Sequence, residues 1–392
     1  MGAALPDKLR YAFTPSGGYK EGVLYPLVPN DNVGNFEVER TGVATRVNKD
    51  GLIEVVDANV PRLDYSDGGC PKLLTEVQSE NLITYSEDFS QWTFSGDSLT
   101  SNYAISPDGT QNATRVVFSS SDELLRATTT LPMNVTCTAS IYIKGNKGDT
   151  IQISAGGVDD LKTLSGEWER IETTQTSTSP DMLIDTYGGA TARDILVWGG
   201  QLEQQPQATS YIPTNGSPQQ RGADSVTNAG DSSTFNSESG VLFADVKALS
   251  DTSTNNRQLT VSDNTTSNRV AITFPSSGGI RFFHVGDGVN KNFTYTLQDI
   301  TMQNKLAIVY GNGVASCYVN GLLVSDINNI SDILQSKLNT LNLQTTKSVG
   351  NILLGKTKSI QHWDYLTDEE MESLTGYQSY AQMTSQFNFN TL

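Results

Sequence analysis

The stretch KLAIVYGNGVASCYVNGLLV, residues 305–324, decides the fold. It reads as strand, turn, strand, turn, strand. The runs are rich in Val, Ile and Tyr, and Asn312-Gly313 and Asn320-Gly321 separate them. Asn-Gly tolerates the positive φ of a two-residue hairpin turn, so the pattern predicts consecutive antiparallel strands. Outward from it the same grammar continues in VLFADVKAL (241–249), RQLTVS (257–262), RVAITF (269–274), GIRFFHV (279–285), NFTYTL (292–297) and NILLGKT (351–357). Short strands at this spacing predict a β-sandwich over 235–376. Within 325–343, Ile327, Ile330, Leu334, Leu338 and Leu341 recur every three or four residues and predict one short amphipathic helix lying on the sandwich. Thr367-Asp368-Glu369-Glu370 is a capping box that opens a last helix, with Gly376 as its stop. The remaining tail, 377–392, is polar and aromatic.

A second β unit is predicted over 81–215, from ATRVVF (113–118), ELLRAT (123–128), TCTASIYIK (136–144), TIQIS (150–154), WERIET (168–173), DMLID (181–185) and DILVWGGQLE (194–203). Residues 216–234, with repeated Gly and Ser and a Pro at 218, read as a linker. Residues 36–80 hold a smaller β unit, with a hairpin turn at Lys49-Asp50-Gly51 between ATRVN and LIEVV. Residues 1–35, with Pro15, Pro26 and Pro29 among Tyr11, Phe13, Tyr19 and Tyr25, read as an extended arm with little core of its own. The expected fold is all-β: two tandem antiparallel sandwiches behind an arm and a small β unit, with one short C-terminal helix.

Composition narrows the function. The 392 residues carry 26 Lys+Arg against 43 Asp+Glu, a net charge of −17. That balance argues against binding nucleic acid or an anionic membrane surface, since both need a basic face. Ser, Thr and Asn account for 111 residues, the composition of sheets that face water. No run of about 18 apolar residues exists, so no membrane insertion is expected. The N-terminus lacks the apolar core of a secretory signal. Cys70, Cys137 and Cys317 are odd in number and far apart, which predicts isolated thiols in a chain that folds in a reducing cytoplasm.

Catalytic signals are sparse. His284 and His362 are the only histidines, each inside a strand-like run. There is no G-x-S-x-G elbow and no Glu-x-Asp-x-x-Glu strand. Of the close carboxylate pairs, Glu167/Glu169 share a strand face and Glu369/Glu370 belong to the helix start. Asp159-Asp160 could hold a structural calcium ion with loop carbonyls, although a solvated turn is the commoner fate of such a pair. No other cofactor is expected, and no enzyme activity. Trp92, Tyr142, Trp198 and Trp363 are the candidate sugar-stacking rings, and equally the natural core anchors of sandwiches.

Several strings are more specific. ENLITYSEDFSQWT (80–93) resembles a string found in many tailed-phage fibre and virion proteins. FEVERTGVATRVNKDGLIEVVDANVPRLDY (36–65) and CPKLLTEVQSEN (70–81) resemble the stretch that precedes it there, with Arg40, Ala44, Thr45, Val47, Gly51, Leu52, Ile53, Asn59, Pro61, Arg62, Leu73, Leu74 and Glu76 matching. Gly42-Val43 and Gln78-Ser79-Glu80 depart from the pattern. WERIET and LVWGGQLEQQPQATSYIPT (196–214) are similar to the end of the carbohydrate-binding-module-like jelly roll that follows. Residues 305–324, 351–357 and YLTDEEMESLTG (365–376) are similar to a concanavalin A-like, laminin-G-type sandwich.

The resemblance implies a structural bacteriophage virion protein, made in the bacterial cytoplasm and carried on the particle. It would be a tail fibre or spike that contacts a host surface glycan for viral attachment, as a homotrimer joined to other virion proteins through the arm. A capsid (head) fibre or decoration protein of the same build is the alternative. A tail-borne polysaccharide depolymerase, which needs a carboxylate pair about 5–9 Å apart in a groove, is the third.

Overall fold

The computed structural model describes residues 8–251, 256–297, 299–335, 337–346 and 351–376. The first seven residues of the expected arm and the tail 377–392 lie outside the described residues. Over the described residues the fold is nearly all-β, built from antiparallel sheets with one short α-helix, Asp368–Thr375. It divides into two compact units. Unit 1 comprises residues 1–40, 59–77 and 224–392; unit 2 comprises 41–58 and 78–223.

Unit 1 is a two-sheet sandwich. Its larger sheet runs, in spatial order, through Leu322–Asn328, Val314–Val319, Asn304–Gly311, Gly240–Ala248, Gly355–Trp363, Lys72–Thr75 and Arg62–Asp64. Its smaller sheet runs through Val289–Tyr295, Ile280–Gly286, Arg269–Phe274, Arg257–Ser262 and Thr340–Asn342. Period-two patterning decides which side chains meet. From Gly240–Ala248, Leu242, Ala244 and Val246 enter the core with Leu259, Val261, Val270 and Ile272 of the other sheet. Val241 and Phe243 point the opposite way, onto Tyr318, Trp363 and Met371 of the helix Asp368–Thr375. The capping box forms as expected: Glu370 N donates to Thr367 Oγ1 at 3.3 Å, and Thr367 N donates to Glu370 Oε2 at 2.8 Å. Gly376 is extended, with φ −69°, rather than left-handed.

Four expectations change here. Residues 8–35 are part of unit 1, not an arm: Leu9–Phe13 pairs with Gly355–Trp363, and Tyr11 and Phe13 are fully buried against Phe36. The alternation in Leu9, Tyr11 and Phe13 outweighs the prolines, which fall after the strand. The described residues of 325–343 form no helix. They open in the strand Leu322–Asn328 and close in Thr340–Asn342, while Ile327, Ile330, Leu338 and Leu341 drop into the core and Leu334 stays exposed. Asn329 sits at φ 57°, and Asn and Ser side chains compete for backbone hydrogen bonds, so helical spacing of the apolar residues does not suffice. The expected linker 216–234 holds two strands, Gln219–Arg221 and Ser225–Thr227, which pair with Ser79–Asn81 and Phe36–Glu39. The small unit 36–80 is shared out: the hairpin Ala44–Val47 and Ile53–Val56 belongs to unit 2, the flanks to unit 1. Its turn is the expected one, with Asn48 Oδ1 accepting from Asp50 N and Leu52 N.

The chain therefore passes between the units at 40/41, 58/59, 77/78 and 223/224. On the unit 1 side, residues near these passages are tied by one buried charge cluster. Arg62 donates to Glu76 and Asp224, and Arg40 Nη1 donates to Asp224 Oδ1 at 3.0 Å and to Val60 O at 2.9 Å. Asn59 Oδ1 accepts from Arg40 N at 2.9 Å, and Asp224 Oδ2 from Glu76 N at 2.9 Å. All four charged side chains are buried. Burial alone would lower the Arg62 pKa; the charges of Asp224 and Glu76 outweigh it and hold the guanidinium raised. On the unit 2 side, Gly222 N donates to Thr41 O at 3.1 Å.

Unit 2 is a jelly-roll-like sandwich of two five-stranded sheets. One contains Thr93–Phe94, Leu124–Thr128, Asp181–Asp185, Thr150–Ala155 and Val158–Thr163; the other contains Ser98–Ala104, Ala113–Val117, Asp194–Glu203, Thr136–Lys144 and Glu169–Thr176. Ile141, Ile143, Ile195 and Val197 face Ile151, Ile153 and Ile184 across its core.

Candidate functional site in unit 2

The rings singled out by sequence are mostly anchors. Trp198 is fully buried, its ring centroid 4.6 Å from Tyr211 and 5.4 Å from Tyr142. Trp92 packs on Phe89 and donates from Nε1 to Tyr85 O at 2.8 Å. Trp363 packs under the unit 1 helix and donates to Gln361 Oε1 at 3.0 Å. Trp92 and Trp198 are core residues rather than stacking platforms, since large flat rings carry the most apolar area and go inside first, whereas the mostly buried Trp363 also walls a cleft of unit 1. Tyr142 is half-buried between Trp198 and the Arg170 guanidinium, 5.4 Å from its centroid. Asp159 and Asp160 lie on the strand Val158–Thr163, where neighbours point to opposite faces. Asp160 pairs with Lys162 at 2.7 Å. The turn before them is Gly156-Gly157, both at positive φ, so the two carboxylates alternate along a strand rather than sharing that turn. Among the described residues no cluster of three or more His, Cys, Asp or Glu could hold a metal.

Unit 2 instead carries a groove of about 670 Å³, lined by Tyr85, Glu87, Asp88, Ser101, Asn102, Asn112, Pro213, Thr214, Asn215 and Gln219. Two strings far apart in sequence build it. Tyr211 Oη lies 2.7 Å from Ser86 Oγ and donates to Glu87 Oε1 at 2.8 Å. Thr214 N donates to Ser86 Oγ at 2.8 Å, Gly216 N donates to Thr84 O at 2.8 Å, and Tyr85 bridges to Asn215. The string TYSED (84–88) is thereby stitched to YIPTN (211–215). Tyr211 in turn rests on Trp198 and Ile53, so the buried tryptophan fixes the wall from behind.

The rest of the lining comes from the strand Ser98–Ala104 and from Asn112. Asn102 sits at φ 54°, and its carbonyl accepts from Gln111 Nε2 at 3.2 Å. Asn112 Nδ2 donates to Glu87 Oε2 at 3.0 Å and reaches Asp108 Oδ2 at 3.3 Å, and its Oδ1 is buried with no donor. Burial raises the Glu87 carboxyl above the ordinary glutamate range, and Asp108 adds to this, while the Tyr211 and Asn112 bonds hold part of it back. Burial also pushes Asp108 upward, but bonds from Ser106, Thr110 and Asn112 outweigh it and leave that carboxyl lowered. The result is a groove of amides, hydroxyls, two carboxylates and one tyrosine ring. Amide side chains offer donors and acceptors together, which suits vicinal hydroxyl groups.

The resemblance strings mark 84–88 and 211–214, but Asn102, Asn112, Asn215 and Gln219 carry no sequence signal, being four among many turn-type residues. Unit 1 has its own cleft of about 840 Å³, walled by Leu9, Leu27, Phe243 and Trp363. Its wall residue Lys305 donates to the carbonyl of Gly376, the last described residue, and no site is assigned to it.

No protein-family profile matches the chain, and no curated protein matches it. Among solved structures it is similar to the CBM40 of the Ruminococcus gnavus IT-sialidase, at 18% identity over 36% of this chain and 84% of that one, with a TM-score of 0.31. It is also similar to domain 4 of an extracellular GH43 arabinanase from Geobacillus stearothermophilus, solved in complex with arabinotriose, at 12% identity over 39% of this chain and 73% of that one, with a TM-score of 0.32.

Proposed function

We propose that this chain is a receptor-binding virion protein of a tailed bacteriophage, of the tail fibre or spike type, and that the unit 2 groove holds a host-surface glycan. The observation that carries the glycan reading is the groove itself: Asn102, Asn112, Asn215 and Gln219 converge beside the half-buried ring of Tyr85. Such a surface meets a sugar with hydrogen bonds to its hydroxyls and an aromatic face to its C–H face. The virion reading is supported by the strings that resemble phage proteins. Arg40, Asn59, Arg62 and Glu76 meet in one buried cluster, and TYSED interlocks with YIPTN, so the matched residues are the ones that hold the fold together.

One groove of this kind binds weakly, and a homotrimer would raise its hold on a dense host glycan through avidity. Substituting Asn112→Ala removes the amide that ties Glu87 to Asp108 and fixes the groove lining, without touching either core. The expected result is at least a tenfold loss of binding to host cell-wall or capsular polysaccharide, with the circular dichroism spectrum unchanged. Undiminished binding would remove the groove from the account. Size-exclusion chromatography with light scattering reads the trimer directly.

Cleavage of the bound polysaccharide is a second reading, favoured by one observation. Glu87 and Asp108 both reach the Asn112 amide, and their environments push the two carboxyls in opposite directions, as in an acid–base pair. It predicts chain shortening that is abolished in Glu87→Gln. The binding reading predicts no shortening by the native chain.

A further inference from the structure

We infer that the unit 2 groove selects uncharged sugars and turns away those bearing a carboxylate or phosphate; this rests on the glycan reading above. The groove lining contains two carboxylates, Glu87 and Asp88, and no Lys or Arg. Neither carboxylate is free to swing aside. Glu87 accepts from Tyr211 on Oε1 and from Asn112 on Oε2. Asp88 accepts from Ser90 N and Ser90 Oγ on Oδ1 and from Gln91 on Oδ2. The nearest cation along the chain from Asn112, Arg115, is committed to Asp194 through two bonds of 2.8 and 2.6 Å. An anionic sugar would therefore enter beside two fixed negative charges with no counter-charge offered, inside the field of a chain carrying −17 overall. A neutral sugar meets the same carboxylates as hydrogen-bond acceptors for its hydroxyls, beside the amides, hydroxyls and tyrosine ring.

The test is titration calorimetry on the full chain with matched oligosaccharides: lactose against 3′-sialyllactose, and cellobiose against its uronic acid form. The uncharged member of each bound pair is expected to bind at least tenfold tighter in 50 mM salt. That ratio should shrink at 500 mM, where screening acts within a few ångströms. Asp88→Asn keeps an N-cap residue at the start of the short turn Phe89–Gln91 and should cut the ratio at least threefold. Glu87→Gln should cut it further. An acidic member binding equally or more tightly overturns the inference while leaving the glycan reading in place, as does a ratio unmoved by salt and by both substitutions. Failure of every oligosaccharide and of host polysaccharide to bind overturns the glycan reading and this inference with it.

Discussion

Arg62→Met destabilises unit 1 by about 3–5 kcal/mol, the usual cost of removing one member of a buried ion cluster. Methionine fills much of the arginine volume, so the loss does not come from a cavity. It comes from Glu76 and Asp224, which stay buried after their shared cation is gone. Arg40 still reaches Asp224, while Glu76 loses the Arg62 guanidinium. Replacing the whole cluster with apolar residues should cost less than this single change, because no uncompensated charge remains. Urea unfolding of the variant against the native chain measures the difference. A midpoint that does not move would mean the cluster contributes no net stability.

Acidification from pH 6.5 to pH 4 should destabilise unit 1 by about 3 kcal/mol for each of its two histidines. Burial lowers His362 and His284 from the ordinary histidine value to about 4, with Asp364 and Asp332 respectively pulling weakly the other way. The local chemistry agrees. Tyr310 Oη gives its proton to Asn236 O, so its 2.9 Å contact with His362 requires the ring to donate from Nε2. Nδ1 is then the bare nitrogen, and it is buried without a partner, so a second proton there has no acceptor. The unfolded chain takes up its proton near pH 6.5 and the folded chain near 4. Between these values only the unfolded state is protonated. The contribution is thus complete above 6.5 and lost as pH falls through 4. Asp67 acts in the same direction at lower pH. Burial would raise its carboxyl, but bonds from Lys247 and Lys72 hold it well below the usual range. Asp185, in unit 2, is raised by burial to about 6 and acts in the opposite sense, its cost relieved on acidification. In His362→Gln, stability measured by urea unfolding should fall less steeply between pH 6.5 and 4. An unchanged slope would mean that His362 is not held neutral.

The strands of both sandwiches were legible because half-buried sheets write period two directly into the chain, as in VLFADVKAL and TCTASIYIK. Residues 325–343 misled because the spacing of Ile327, Ile330, Leu338 and Leu341 fits a helix and an irregular strand equally well, and Asn329 decided between them. Prolines hid the strand Leu9–Phe13, and turn residues hid Gln219–Arg221 and Ser225–Thr227. The same turn-rich stretch concealed Asp224, the partner that Arg40 and Arg62 share. Of the site, the strings at 84–88 and 211–214 were legible as resemblance. Their interlocking was not, since more than a hundred residues separate Ser86 from Thr214. The rings of Trp92, Trp198 and Trp363 were visible, but sequence does not say which side of a sheet is wet.

The central claim is that the groove over Tyr85, Asn112 and Asn215 holds a host glycan. Adsorption of phage to host cells, competed by purified native chain and by its Asn112→Ala variant, tests it most directly. The account predicts that native protein blocks adsorption and that the variant, folded and added at the same concentration, does not. Equal blocking by both, or by neither, would contradict it.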